Sequence, residues 1–594
     1  MKTVLETYSG LVSKYDEDHQ NLIRKYNIFG FLRFLVFAAL VILVIFAIRN
    51  KDYFFLGASL ITLAGFVLSI KTHNKLRYER NKKKALVDIN QAELDFLQKK
   101  KLDFYDGFEY IDQKHPFSHD LDFFGRDSLF HHINRTASYI GQTKLARLLI
   151  SNFSVKEIAQ NQDAISDLRE RIEFRQDIHA IGKIKKDSKK IYDNLMAWSE
   201  TGRKKPSRLL TLFSYVSPVL LISLLVLYFF LDVVALRSIA FALFLLNLGV
   251  LSVNLKGIKR EIVGGTKIDK IIKNYSLIID TIEGQEFKSE KLKHLKGKLK
   301  SESHIASREI KKLSSLFSQL DTLFNLIGAI ISNGLALQHI HVYRALVKWK
   351  RDNKDNIVQW LDVIGEFEAY NCLANFAFNN PGFTFPDLNE DYKIQFIDLG
   401  HPLIDSNIRV NNDVNFNDQG FIVLTGSNMS GKSTFLRSLG VNMVLAGIGS
   451  VVCASKANVH PLKVWVSMRL SDSLEDNESY FFAEVKRLKE IMDQADKERS
   501  FILLDEILRG TNSEDKHTGT VEVIKKLISK GAIGAAATHD LKVCYITDDN
   551  PDKLVNKCFE VEIVSDELSF DYKLRDGICK SKNATFLMEK MGVI

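Results

Sequence analysis

The sequence predicts an α/β domain at its C-terminal end, joined to an all-α core that carries two apolar helical hairpins, and three observations predict it. From residue 389 onward, short apolar runs alternate with helical patterns, the rhythm of a sheet covered by helices. Upstream, only 8 prolines occur in the whole 594-residue chain, where ordinary usage would give roughly thirty, so long uninterrupted helices are favoured. Four apolar stretches of 18 to 23 residues come in two pairs. With 46% hydrophobic and 26% charged residues the composition is that of a folded chain and excludes wholesale disorder.

Residues 1–27 read as a cytoplasmic N-terminal helix and 28–71 as the first transmembrane hairpin. Ile28 to Ile48 is broken only by Arg33, and Tyr53 to Ile70 carries no charge. At 1.5 Å per residue each can cross about 30 Å of hydrocarbon, with slight thinning for the second. The first run starts well inside the chain, exceeds the usual apolar core and lacks a small-residue cleavage site, so it does not read as a signal peptide. Residues 72–118 are expected as a basic helical linker, with seven basic residues and one acid between Lys71 and Lys84. Residues 119–205 and 257–388 are expected as two parts of an all-α core. Between them, 206–256 holds the second hairpin, Leu209 to Leu231 and Val233 to Leu255. Stretches apolar on every face exceed what an amphipathic soluble helix shows.

Basic clusters set the topology. Arg24 and Lys25, Lys71 to Lys84, Arg203 to Arg208 and Lys256 to Arg260 flank the hairpins, while the connecting turns hold few charges. Both termini and the middle segment are therefore expected in the cytoplasm of a multi-pass membrane protein, in the bacterial inner membrane. The five cysteines, at 372, 453, 544, 558 and 579, have no metal-binding spacing and read as core thiols. A net charge of +9 names no partner by itself.

In the segment 389–594 the chemistry is local and specific. Phe421 to Thr425 reads as a buried strand, followed by Gly426, Ser427, Asn428, Met429, Ser430, Gly431, Lys432 and Ser433, then a helix opening at Thr434. This is the strand, glycine-rich loop and helix that make a P-loop. Its amides curl around phosphate oxygens, Lys432 neutralises β/γ charge, and the Ser433 hydroxyl ligates Mg²⁺. A second run, Ser500 to Leu504, ends in Asp505 and Glu506. Asp505 suits the metal shell, and Glu506 suits orienting or deprotonating the attacking water. A third run, Ala532 to Ala537, brings His539 to another strand end, where it can sense a γ-phosphate.

Thr425-Gly-Ser-Asn-Met-Ser-Gly-Lys-Ser-Thr434, Asp505-Glu-Ile-Leu-Arg-Gly-Thr511 and Ala537-Thr-His539 together resemble the ATPase domain of the MutS family, relatives of the ABC ATPases. The resemblance implies an α/β P-loop NTPase of ABC/MutS type, ATP and Mg²⁺ as cofactors, and a homodimer formed through the ATPase domains. Glu478 to Glu484 is similar to the family's Ser-x-Phe-x-x-Glu segment, which makes Ser479 the residue expected to reach the partner's nucleotide. Upstream, Asp120 to Gly125, Asn134 to Thr136, Gly141 to Leu149, Glu366 to Ala369 and Asn379 to Pro386 are similar to the two ends of the family's helical core. At the family's adenine-stacking position stand Arg409 and Val410 in place of an aromatic pair; Val410 is taken as nucleotide-contacting, and the Arg409 guanidinium can also stack.

The departures bear on function. The Phe-x-Glu tripeptide with which a mismatch-repair MutS reads DNA is found here only as Phe482-Ala-Glu484, inside the ATPase segment. The DNA clamp of the family's levers is replaced by the second apolar hairpin. The expected function is a membrane-anchored MutS-like ATPase in which ATP binding and hydrolysis move helical levers, without mismatch recognition. The alternative is a membrane-tethered repair or recombination ATPase with non-specific or structure-specific DNA binding. Lys288 to Lys300, with six lysines in 13 residues, is either the solvated face of a lever helix or a contact for phosphates of DNA or lipid headgroups. A transporter is disfavoured, since no Leu-Ser-Gly-Gly-Gln signature occurs. Membrane lipid and a protein partner of unknown identity complete the expected partners.

Overall fold

The computed structural model describes residues 2–50, 52–98, 104–200, 207–259, 261, 268–300, 305–469, 480–564 and 567–580. It opens with two long antiparallel helices, α1 (Lys2–Asn50) and α2 (Tyr53–Leu97), with Asp52 capping α2 by accepting the Phe54 amide at 2.8 Å. Neither contains proline, so each runs without a break from an apolar half into a polar arm, and the expected limits at 28 and 72 are not element ends. The apolar halves are exposed, as at Phe31 and Ile61. The arms dock on the core: Tyr8 is fully buried and donates to Asn379 Oδ1 at 2.8 Å, and Tyr15, Leu86 and Ile89 pack with Ala180.

Of the linker expected to be helical over 72–118, the described residues are α-helical from 72 to Leu97, and those from Phe104 to Ser118 are not. From Phe104 to Ser118 the chain turns repeatedly, because Asp106 and Asp112 accept amides two residues on and Gly107 adopts φ 72°. This segment edges the C-terminal sheet, where the Pro116 carbonyl accepts the Val466 amide at 3.0 Å.

The helical core comprises α3 (Leu129–Ile133), α4 (Tyr139–Leu149), α5 (Val155–Arg169), α6 (Ile172–Lys183) and α7 (Lys189–Glu200). The second hairpin follows as α8 (Arg208–Leu231) and α9 (Val234–Lys259), and the core resumes with α10 (Ile268–Glu283), α11 (Glu290–Gly297), α12 (Ala306–Asp321), α13 (Leu326–Ala336) and α14 (Gln338–Asn379). The 42-residue α14 is the spine, packed on α4, α5 and α12 and leading to the C-terminal domain. Among the described residues, α1, α2, α8 and α9 are long and apolar enough to cross a membrane.

The C-terminal domain has two sheets. One has the order β1-β5-β2-β3, from β1 (Asp387–Leu388), β2 (Ile394–Leu399), β3 (Asn412–Asn415) and β5 (Lys456–Val459). The other has six strands in the order β12-β9-β4-β8-β7-β6: β4 (Phe421–Gly426), β6 (Lys463–Ser467), β7 (Ser500–Asp505), β8 (Ile533–Ala537), β9 (Leu554–Phe559) and β12 (Leu574–Asp576). All its pairings are parallel except that of the edge strand β12. A hairpin of β10 (Glu562–Val564) and β11 (Glu567–Ser569) lies before β12. The helices are α15 (Lys432–Gly447), α16 (Tyr480–Ala495), α17 (Ser513–Ser529) and α18 (Ile546–Asp549).

Strand periodicity divides two cores. Ile422 and Leu424 of β4, with Phe501 and Leu503 of β7, face the core shared with the helical region upstream. Phe421, Val423, Ile502 and Leu504 face a second core under α16 and α17. Helices cover both faces, as a mostly parallel sheet requires, and the loops at the carboxyl ends of β4, β7 and β8 meet on one edge.

Candidate nucleotide site

The loop from Gly426 to Gly431 leaves β4 and enters α15 in the geometry that small residues permit. Gly426 has φ 156° and Gly431 φ 104°, and a Cβ at Gly426 would sit 2.6 Å from Ser430 Oγ. Met429 holds φ 65° at the exposed tip. Lys432 is buried, donating to the carbonyls of Gly426 at 2.8 Å and Ser427 at 3.0 Å. Burial pulls its ammonium below the ordinary lysine value, against the opposing charge of Glu506 and Asp505.

Ser433 Oγ donates to Asp505 Oδ2 at 2.6 Å, which joins the loop to the end of β7. The other carboxylate oxygen, Asp505 Oδ1, and the hydroxyls of Ser427 and Ser430 are buried without a hydrogen-bond partner among the described residues. Orphaned acceptors of this kind are costly unless something fills them. A hydroxyl and a carboxylate beside an amide-lined loop are a donor set suited to a hard divalent cation and phosphate oxygens, so the residues fit MgATP.

Glu506 follows immediately, in a left-handed conformation with φ 50°. His539 Nε2 lies 2.8 Å from Glu506 Oε1 and 3.4 Å from Lys432 Nζ. The Glu506 carboxyl is held down to about 2, chiefly by the His539 hydrogen bond, with burial opposing and the charges of His539, Arg509 and Lys432 assisting. Arg509 Nη2 stands 3.4 Å from Glu506 Oε2.

A cavity of about 430 Å³ opens beside these groups. Asn428, Met429, Ser430, Gly431, Lys432, Ser433, Thr434, Glu506 and Val410 line it, while Asp505 and His539 stand behind as partners of lining residues. Ser479 lies outside the described residues. Arg409 also lines the cavity, with its guanidinium over the Phe383 ring and its Nε donating to Asn411 Oδ1 at 3.1 Å.

Two contributors were not foreseen from sequence. The aromatic wall is Tyr572, whose ring lies about 3.1 Å from where a Cβ on Gly431 would sit; nothing in its local sequence marks it. Glu484, noted only as the end of the Ser-x-Phe-x-x-Glu segment, is buried and accepts the amides of Leu508 at 2.6 Å and Arg509 at 3.2 Å. It thereby fastens the loop after Glu506 to α16. Leu508 sits at φ 61°, so this loop needs an external tie.

Residues 422–591 match the family model for MutS domain V. The chain is 32% identical over 225 residues to the DNA mismatch repair protein MutS of Thermotoga neapolitana, covering 37% of this chain and 28% of that protein. It is 31% identical over 224 residues to the same-named protein of Methanococcoides burtonii (36% and 25%), and 35% identical over 170 residues to MutS protein homolog 4 of Homo sapiens (27% and 18%). The chain thus aligns with about a quarter or less of the length of these curated relatives. The likeness to MutS domain V lies in the C-terminal α/β domain, residues 422–591. The match to MutS domain V takes in Gly426 to Thr434, Asp505, Glu506, His539, Glu484 and Tyr572.

Proposed function

We propose that this chain is a membrane-anchored MutS-like ATPase that couples ATP binding and hydrolysis, in a dimer of nucleotide domains, to movement of its helical levers, without mismatch recognition. One observation carries the reading: the Ser433–Asp505 pair, with Asp505 Oδ1 buried and unpartnered, stands beside the Glu506–His539 pair at the mouth of a phosphate-sized loop. MgATP bound there supplies a polarised γ-phosphoryl group. The chain's own residues do the rest. The P-loop amides and Lys432 would hold phosphate oxygens, Ser433 and Asp505 would hold the metal, and Val410 and Tyr572, which line the cavity, would contact the rest of the nucleotide.

Glu506 is too acidic to keep a proton, so its first task is to orient water through an accepting oxygen, with His539 fixing the carboxylate. Anchoring rests on the four exposed apolar helices and their basic flanks. The DNA-binding alternative gains little from the basic patches, since several of their lysines already have partners. Lys82, Lys83 and Lys84 pair with Asp177, Asp18 and Asp88. Lys288, Lys293 and Lys296 pair with Glu170, Glu290 and Glu286, and Lys291 donates to Asn161.

Purified protein tests the chemistry. Lys432→Ala should abolish nucleotide binding, while Glu506→Gln should bind MgATP normally and lose roughly a hundredfold or more of turnover. Wild-type hydrolysis in Glu506→Gln overturns the assignment. Membranes test the anchoring: the protein should resist carbonate extraction, and recovery in the soluble fraction without detergent defeats it.

A further inference from the structure

Helix α13 is out of place in a soluble lever. The chain from Thr322 to Tyr343 holds no Asp, Glu, Lys or Arg over 22 residues. α13 exposes Leu326 (72%), Ile327 (73%), Ile330 and Ile331, preceded by Phe324. It turns away from α12 by 111°, and Leu337, left-handed at φ 48°, returns the chain into α14. Such a surface in water is a liability.

What covers it follows from where α13 is attached. Its buried residues are Ala329, Asn333 and Gly334, and Gly334 lies so close to the Phe244 ring of α9 that a Cβ there would collide with it. The Gly334 carbonyl accepts Asn247 Nδ2 at 2.8 Å, and Asn247 Oδ1 accepts Ser217 Oγ of α8 at 2.6 Å. Asn247 is fully buried, a polar residue satisfied inside an apolar bundle. From Asn247 to Lys256 and from Arg208 to Ser217 the axial rise is the same, roughly 13 Å. Both arms of the hairpin therefore put this triad near the middle of a layer about 30 Å thick. Closer to the basic end, His341 Nε2 lies 2.9 Å from the Ser214 carbonyl and the Arg344 guanidinium stands over Tyr215.

We propose that α13 is a re-entrant membrane helix, so that the lever core itself dips into the acyl-chain region beside the second hairpin. This rests on the reading of α8 and α9 as a membrane hairpin. The occupant of the exposed side chains is lipid: α13 packs on α8 and α9, whose own apolar side chains, such as Phe241 and Leu245, are exposed, and its attachment lies at mid-depth. The nucleotide domain then has a direct link to the bilayer, because α14 rises without interruption for roughly 60 Å from the base of α13.

The test uses the full chain in phosphatidylcholine/phosphatidylglycerol vesicles, with single cysteines placed at Ile327, at Ile222 on the exposed face of α8, and at Asp418 on the nucleotide domain. All five native cysteines are buried, and the unsubstituted protein gives the labelling background. Each site carries an environment-sensitive fluorophore, read with and without lipids brominated at mid-chain. Quenching at 327 within about twofold of that at 222, with none at 418, is expected for a site in the hydrocarbon. Quenching at 222 but not at 327 overturns the inference and leaves the hairpin intact, whether water or a second copy covers the helix. No quenching at either site defeats the hairpin reading and the inference with it.

Discussion

At the scale of single residues, the contact between His539 and Glu506 makes a prediction about acid. The folded carboxyl is depressed to about 2 from its ordinary value of 4.5, so the pair stabilises the fold fully above about pH 4.5 and loses that contribution as pH falls toward 2. His539→Ala removes the main cause of the depression. Thermal denaturation of the detergent-solubilised protein from about pH 6 to about pH 3 should then show a smaller acid-induced drop in the variant than in the parent. An equal drop in both counts against the contact. This pair was half legible in sequence: His539 at a strand end was readable as a phosphate sensor, but its bond to Glu506, 33 positions upstream, depends on β7 and β8 being parallel neighbours in register, Asp505 opposite Ala537.

Among elements, the tie from α16 to the loop after β7 decides whether Glu506 is held in place. Glu484→Ala leaves the Leu508 and Arg509 amides unpaired, at a cost of about 1–3 kcal/mol for each donor that stays buried. Turnover should fall by roughly tenfold or more while nucleotide affinity, set by the P-loop, changes little. A loss confined to affinity refutes that division of labour. Helices illustrate a different limit of legibility. The apolar stretches of α1 and α2 stand out in sequence, yet composition alone places limits at 28 and 72, inside helices that continue into their polar arms. A helix ends only where a cap, turn or breaker ends it, and none occurs at those positions. The linker after Leu97 was over-extended for the converse reason, since Asx turns at Asp106 and Asp112 outweighed the basic, helix-like composition.

For the molecule as a whole, the expectation is indifference to mismatches. Discrimination needs a wedge that enters and kinks the duplex. The one Phe-x-Glu tripeptide belongs to α16, where Glu484 is engaged with the loop after β7. The lysines that pair internally along α2 and α11 leave less charge for phosphates, and phosphate contacts carry no sequence information. Matched and mismatched duplexes should therefore bind equally within about threefold, well below the tenfold that 1.4 kcal/mol represents. In a competition assay at physiological salt, a preference of roughly tenfold for the mismatch contradicts this expectation.

What the sequence alone determined is the patterning that lies within one turn or one loop: the glycine-rich loop from Gly426 to Gly431 between a strand and a helix, the Asp505–Glu506 pair at a strand end, and four apolar stretches whose length and flanking charge are local properties. Tertiary structure decided what those pieces meet. Glu484 reaches Leu508, Tyr572 walls the cavity at Gly431, Arg409 turns to Phe383, and Gly334 locks onto Asn247 across 87 positions of chain. None of these pairings is encoded by spacing, because each forms only when packing of separate elements brings two surfaces to contact distance and the polar groups buried between them must find partners.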